Sequence, residues 1–245
     1  MDQLEVRDTP KGPFVFACTR EPGRDTATVL AELIPGWIWT LQGRRFMRWG
    51  RGESRFSRPV RWLTALLDGE VIPVRLPDCD PPISSGRVSR GHRLHPEAIV
   101  VASAAAYEAT LEAAGVLVDR PSRAAAIRTQ LEQAAGAAAR LDLPEALFAE
   151  LVDLVERPRV IEGAVDAAFL SLPPEVLCTV MRSHQRYVPL LNSDAPSDPL
   201  ALDARGTLLP RFLCVSNGLP EAEATVRRGN ERVLRARLAD AAYFL

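Results

Sequence analysis

Near residue 103 the chain changes character, and that change limits the fold classes open to it. Upstream, apolar runs are short and end at Gly and Pro. PFVFACT (13–19) has the aromatic and β-branched content of a strand. RPVRWLTALLDGEVIPVRL (58–76) places Asp68-Gly69 between two apolar runs, a strong hairpin signal, and Pro77, Pro81 and Pro82 close that unit. Between these stretches, Val29, Leu30, Leu33, Ile34, Trp37 and Leu41 recur at helical spacing over 24–41, and Pro35-Gly36 is expected to break or kink the helix. Downstream, SAAAYEATLEAAG (103–115) offers Ser103 as an N-cap and Gly115 as a C-cap. A short strand is expected at 116–118. Pro121 and Pro144 then suit the first turns of two further helices, the second running through Glu156. Strands are expected at 159–165, 186–191 and 208–218, with a short helix from Pro173 to about Ser183 and a polar, Pro-rich loop at 192–206. A closing helix over 221–245 should be interrupted near Gly229. Strands and helices mixed in this way, with hairpin signals and no fixed-period repeat, predict an α+β or mixed-sheet α/β fold.

Bulk properties exclude several classes. With 47% hydrophobic and 25% charged residues, disorder over most of the 245 residues is excluded. The longest apolar runs, 98–106 and 63–67, fall far short of the ~20 residues a membrane span needs. MDQLEVRDTPKG carries acids early and no apolar stretch of a secretory signal, so a cytoplasmic protein is expected. Cys18, Cys79, Cys178 and Cys214 are scattered, without a CxxC pair or a His at zinc-finger spacing. Buried, inert thiols and no metal are expected. His92 and His95 lie three apart with no second cluster to complete a site.

Charge is distributed unevenly. All but Lys11 of the 30 basic residues are arginine, whose guanidinium makes planar, bidentate contacts to phosphate and carboxylate. RRFMRWGRGESRFSRPVRW (44–62) holds seven of them, Arg44, Arg45, Arg48, Arg51, Arg55, Arg58 and Arg61, against the single acid Glu53, with Phe46, Trp49, Phe56 and Trp62 interleaved. Guanidinium planes and aromatic faces are what bind RNA backbone and unstacked bases. The structural alternative puts the aromatics in the core and pairs the arginines with distant acids. SGRVSRGHRLHP (85–96) gathers Arg87, Arg90 and Arg93 with His92 and His95 between Gly86 and Gly91, a possible phosphate loop that matches no P-loop. His184, Gln185 and Arg186 sit at a helix-to-strand junction, where such groups more often tie backbone together than bind a ligand. In RRGNERVLRARLADA (227–241), Asn230, Glu231, Arg235, Arg237 and Asp240 lie on a helix. Glu231 and Arg235 have the favourable i,i+4 order, and Leu234, Leu238, Ala241 and Val233 form an apolar stripe. These groups read as structural or interface residues; surplus Arg227, Arg228, Arg232 and Arg237 need an anionic partner for any other role. No GxSxG, HExxH, strand-linked GxGxxG or Walker lysine is present, and no signature of a class I or class II synthetase core. No catalytic residue is assigned.

Nine segments in order resemble the beta subunit of bacterial two-subunit glycyl-tRNA synthetase: MRWG (47–50), RFSRPVRWL (55–63), GEVIPV (69–74), GRVSRGHR (86–93), LVDLVERPRVIEG (151–163), FLSLPPEVL (169–177), HQRYVP (184–189), LLPRFLCVSN (208–217) and GNERVLRARLADAAYF (229–244). Arg157 stands where that family usually has Trp. The family's opening segment, its histidine–aspartate-type helical domain and its anticodon-binding domain have no counterpart here, and the closing helix has no cap, so the chain is expected to be an internal piece of a beta subunit.

The resemblance implies a fold similar to the editing-type domain of the phenylalanyl-tRNA synthetase beta subunit. It implies an N-terminal α/β part over 1–82 with the basic segment, a mixed α/β part of the same editing-like domain over 83–218, and the start of a linking helix toward a helical domain over 219–245. It implies a role in binding and positioning tRNA within a cytoplasmic heterotetramer, with glycine activation by ATP on the alpha subunit and no cofactor in this chain. The expected partners are the alpha subunit, tRNA and the remaining beta-subunit domains. The seven arginines of 44–61, with Arg87, Arg90 and Arg93, would contact tRNA. The alternative is an assembly module in which they pair with neighbouring domains. By itself the chain should not charge tRNA.

Overall fold

The computed structural model describes residues 3–19, 21–94, 97–194 and 207–244, the side chains of Gln3 and Cys18 excepted. It has the α+β character read from the sequence: helices together with small, mostly antiparallel sheets. It divides into two compact units, one reaching Ser89 with Ala102–Ala104 added, the other made of Arg90–Val101 and Ala105 onward.

In the first unit, Gln3–Thr9 and Gly12–Cys18 form an antiparallel hairpin, turning where Gly12 takes a φ of 106°. The sequence reading found only its second strand. Helix Thr26–Thr40 starts at Asp25, whose carboxylate accepts from the Thr28 amide at 3.0 Å. It continues through Pro35, where a break or kink was expected. Leu30, Ala31, Ile34, Ile38 and Trp39 pack against a core of Ala65, Ile72, Val74, Leu76, Cys79 and Ile83, and that burial outweighs the one helical hydrogen bond Pro35 cannot make. Asp68-Gly69 turns the hairpin between Leu66–Leu67 and Glu70–Val71, with Asp68 at a φ of 50°. Leu63–Thr64 pairs parallel with Ile83–Gly86, which pairs antiparallel with Arg75–Leu76. The Ser85 hydroxyl accepts from the Val74 amide and donates to the Ile72 carbonyl, satisfying buried backbone beside that sheet.

The second unit is built on a four-stranded antiparallel sheet in the order Ala139–Leu141, Val188–Asn192, Leu208–Ser216, Arg159–Ala164. Alternate side chains of a strand face opposite ways, and both faces here are covered. Leu213, Val188 and Leu190 pack with Ile127, Leu131, Leu147, Phe148, Leu151 and Val152, which come from helices Arg120–Ala135 and Glu145–Leu154. Phe212, Cys214, Ile161 and Leu191 pack with Leu177, Met181, Leu234 and Leu238 on the other side. Gly163 sits opposite Phe212, and a Cβ there would lie 2.5 Å from the ring. That space lets Phe212 stack on Tyr187 with centroids 4.6 Å apart. Pro189 is tolerated in an inner strand because the register slips between it and Leu191.

Several local expectations in this unit are corrected. Helix Tyr107–Ala113 begins at Ala106 with no side-chain cap, so Ser103 is not its N-cap. Residues 116–118 form no strand; the Val116 and Leu117 amides instead bond to the Leu111 and Glu156 carbonyls. Helix Glu223–Tyr243 is continuous through Gly229, held by buried Leu234 and Leu238, while Val233 is exposed rather than part of the apolar stripe. The short helix is α-helical over Pro174–Thr179 and widens to a π turn over Val180–Gln185. Most of the 192–206 loop, His95 and Leu245 fall outside the described residues.

Candidate nucleic-acid interface

The basic segment is a small hairpin. Met47–Arg48 pairs with Arg55–Phe56, Arg48 directly opposite Arg55. Like charges facing each other across a hairpin repel. Glu53 relieves one of them, its carboxylate 3.1 Å from Arg48. The aromatics brace this hairpin from within. Trp49 Nε1 donates to the Phe56 carbonyl at 2.9 Å, and the Phe46 and Phe56 rings meet at 5.1 Å. Trp49 and Phe56 are therefore half-buried and engaged locally, while the arginines stay outside.

The hairpin is pressed onto the loop at 78–80. A Cβ at Gly52 would lie 2.1 Å from the Asp78 carbonyl oxygen, so only glycine allows this approach. The Arg51 amide donates to Asp80 Oδ2 at 2.7 Å, and the Ser54 hydroxyl donates to the Asp78 carbonyl at 3.0 Å. Gly50, at a φ of 62°, bends the chain into this contact. Sequence reasoning missed these pinning groups. Their signal was the pair of glycines inside an arginine run, WGRGE (49–53), where no flexible linker is called for.

All seven arginines are exposed. Among the described residues only Arg48 has an ion pair; Arg58 donates to the adjacent Ser57 carbonyl, and the guanidinium groups of Arg44, Arg45, Arg51, Arg55 and Arg61 form no ion pair. The distant acids of the structural alternative are not found there.

The other sequence-level sites are arranged differently. Arg87 is a clamp in the first unit: its Nη1 and Nη2 each donate at 2.7 Å, to the Ala102 and Gly69 carbonyls. Arg90 and Arg93 belong to the second unit and are exposed, and His92 is buried with its amide bonded to the Ala114 carbonyl. At the 184–186 junction, Arg186 takes a φ of 59° after the π turn, binding Glu150 at 2.8 Å and the Ser183 carbonyl. His184 is exposed and Gln185 half-buried. On the last helix the expected Glu231–Arg235 pair does not form. Glu231 accepts from the Ala164 amide at 2.9 Å, and Arg235 reaches Asp166 at 3.4 Å, both tying the helix to the end of strand Arg159–Ala164. Asn230 donates to Cys214 Sγ at 3.0 Å, and Arg237 and Asp240 are exposed.

The thiols of Cys79, Cys178 and Cys214 are buried, and that of Cys18 lies outside the described side chains. Burial pushes Cys178 up to about 12, with the nearby Asp142 charge adding to the shift, and Cys214 up to about 11. Neither forms a thiolate near neutrality, so neither acts as a nucleophile there. Among the described residues no three His, Cys, Asp or Glu side chains gather as metal ligands, and no helix is long and apolar enough to cross a membrane.

A family profile described as "Glycyl-tRNA synthetase beta subunit" matches residues 1–245. The chain belongs to the glycyl-tRNA synthetase beta-subunit family. Curated relatives bear the name glycine–tRNA ligase beta subunit: that of Acaryochloris marina is 45% identical over 98% of this chain, that of Trichodesmium erythraeum 44% over 100%, and that of Moorella thermoacetica 42% over 100%. The chain spans about a third of the length of these relatives, 33% in each case. In this member of the beta-subunit family, MRWG and RFSRPVRWL thus supply the strands of the arginine hairpin, and GNERVLRARLADAAYF supplies the helix that covers one face of the sheet.

Proposed function

We propose that this part of a glycyl-tRNA synthetase beta subunit holds tRNA by its phosphates through the arginine hairpin at 44–61. The observation that carries the reading is the set of exposed guanidinium groups without acid partners, displayed from a backbone pinned at Gly52, Ser54 and Asp80. Such charge is stabilised by an anionic partner, and a preordered display lowers the cost of ordering side chains on binding. Phosphates carry no sequence information, so the hairpin positions tRNA rather than selects it. Glycine activation with ATP belongs, in this reading, to the alpha subunit, and this chain supplies no group to that chemistry. The cytoplasm, where tRNA is charged, is the proposed location. On the resemblance alone, we also assign residues 1–218 to the editing-type fold of the phenylalanyl-tRNA synthetase beta subunit.

The assembly reading is favoured at the other end of the chain. Asn230, Glu231 and Arg235 there serve internal contacts, and exposed Arg237 and Asp240 on the same helix suit a neighbouring domain or the alpha subunit. A salt titration of tRNA binding tests the main proposal: log Kd should rise steeply and linearly with log salt concentration, by roughly 0.7–0.9 per phosphate contact. A flat dependence would assign the hairpin to protein–protein assembly instead.

A further inference from the structure

Beside the hairpin the first unit contains a cavity of about 690 Å³, within the range of roughly 300–1,000 Å³ typical of small-ligand sites. Its lining residues bring together three chemistries: the arginines Arg44 and Arg55, the half-buried aromatics Trp39 and Phe46, and the acids Glu53 and Asp78. Glu53 is occupied by Arg48. Asp78 is different. Its backbone is held by Ser54 and the close approach of Gly52, while its exposed carboxylate has no ion pair among the described residues despite the arginines lining the same cavity.

A surface that bound phosphate alone would gain nothing from a carboxylate there, because it repels the ligand. A carboxylate is useful if the ligand also presents hydrogen-bond donors. Guanine offers two adjacent donors, N1–H and the N2 amino group, which match the two oxygens of a carboxylate. Adenine and cytosine present an amino group beside a ring acceptor that a carboxylate repels, and uracil presents one N–H flanked by two carbonyls. Trp39 and Phe46 are among the lining residues, and an aromatic side chain offers stacking, a contact any base can make.

We infer that this cavity receives one unstacked guanine nucleotide of single-stranded RNA, its phosphate at Arg44 and Arg55 and its Watson–Crick edge at Asp78. The inference rests on the hairpin being an RNA surface, and it adds base selectivity at one position to binding that is otherwise indifferent to sequence.

The test uses fluorescent single-stranded RNA hexamers of uridine carrying one central guanine, adenine or cytosine, or none, titrated with the full chain at constant salt. The guanine hexamer should bind about tenfold more tightly than the others, the discrimination expected of a bidentate base contact. Asp78→Asn should reduce that preference to about twofold or less. Circular dichroism of the variant checks that it is folded, and the base preference of the unmodified chain needs no variant at all. Equal binding of all hexamers overturns the guanine site and leaves the arginine surface standing. Preference for adenine or cytosine also overturns it. Failure of every hexamer to bind at low salt overturns the RNA reading of the hairpin itself.

Discussion

Replacing Gly52 by alanine perturbs the arginine hairpin where it is pressed most closely against the chain beneath it. The added Cβ would lie 2.1 Å from the Asp78 carbonyl oxygen and 3.1 Å from its carbon. Both are backbone atoms, so no side chain can swing away. The hairpin must lift, stretching the 3.0 Å bond from Ser54 and the 2.7 Å bond from the Arg51 amide. Overpacking of this kind costs about 1–3 kcal/mol. At about 2–4 °C per kcal/mol for a chain of this size, the melting temperature should fall by roughly 5 °C. Binding should weaken as well, because arginines on a loosened backbone must be ordered when RNA arrives, at about 0.5–1.5 kcal/mol per side chain. A loss of about tenfold in tRNA affinity is expected, with the salt slope unchanged because no charge is removed. Calorimetry and fluorescence anisotropy with labelled tRNA measure the two effects. Gly69→Ala is the control: its Cβ meets nothing within 4 Å, and a change within about 0.5 kcal/mol is expected. If Gly52→Ala melts early but binds tRNA as before, the pinned display has no part in binding. If it melts as the unmodified chain does, the close approach is not real.

Gly163→Ala should destabilise the second unit by about 1–3 kcal/mol through collision with the Phe212 ring, and near-ultraviolet circular dichroism should show the Tyr187–Phe212 stack disturbed; an unchanged spectrum and midpoint would contradict the packing described. The buried thiols and Tyr187 give a pH dependence of definite sign. Cys178, Cys214 and Tyr187 are raised from 9.0, 9.0 and 10.0 to about 12, 11 and 12, so their contribution is full below pH 9 and is lost as pH climbs through 9 toward 12. Urea midpoints should fall over that interval, and a thiol reagent at pH 8 should label Cys178 and Cys214 only after unfolding. Rapid labelling of both in the native protein would contradict their burial.

Signals that depend on a residue's own backbone preferences were legible in the sequence. Asp68-Gly69 turns its hairpin because Asp tolerates a positive φ, and Pro121 lies in the first turn of helix Arg120–Ala135 as expected, whereas the stop of that helix at Gly136, before strand Ala139–Leu141, was not read. Signals overruled by packing were not. Pro35 and Gly229 are helix breakers by propensity, yet the side chains around them, Ile34 and Ile38 in one case and Asn230 and Leu234 in the other, are anchored to distant parts of their own units. The arginine run was evident as charge, but its shape depends on Asp78 and Asp80, some 25 residues further on. No local pattern reveals such a contact. The same holds for Arg87, which the sequence grouped with Arg90 and Arg93 and which the fold uses to bind two carbonyls.

The central claim, that the hairpin arginines meet tRNA phosphates, is tested most directly by a salt titration of tRNA binding with the Arg51→Ala, Arg55→Ala, Arg58→Ala triple variant beside the unmodified chain. Each side chain is exposed and without an acid partner among the described residues, so stability should change by no more than about 0.5 kcal/mol per site. If all three contact phosphate, the magnitude of the salt slope should fall by about 2–3, and affinity near 0.15 M salt by roughly a hundredfold, to a similar extent for any tRNA. An unchanged slope and affinity, above all together with a lowered melting temperature, would contradict the account and place these arginines in assembly.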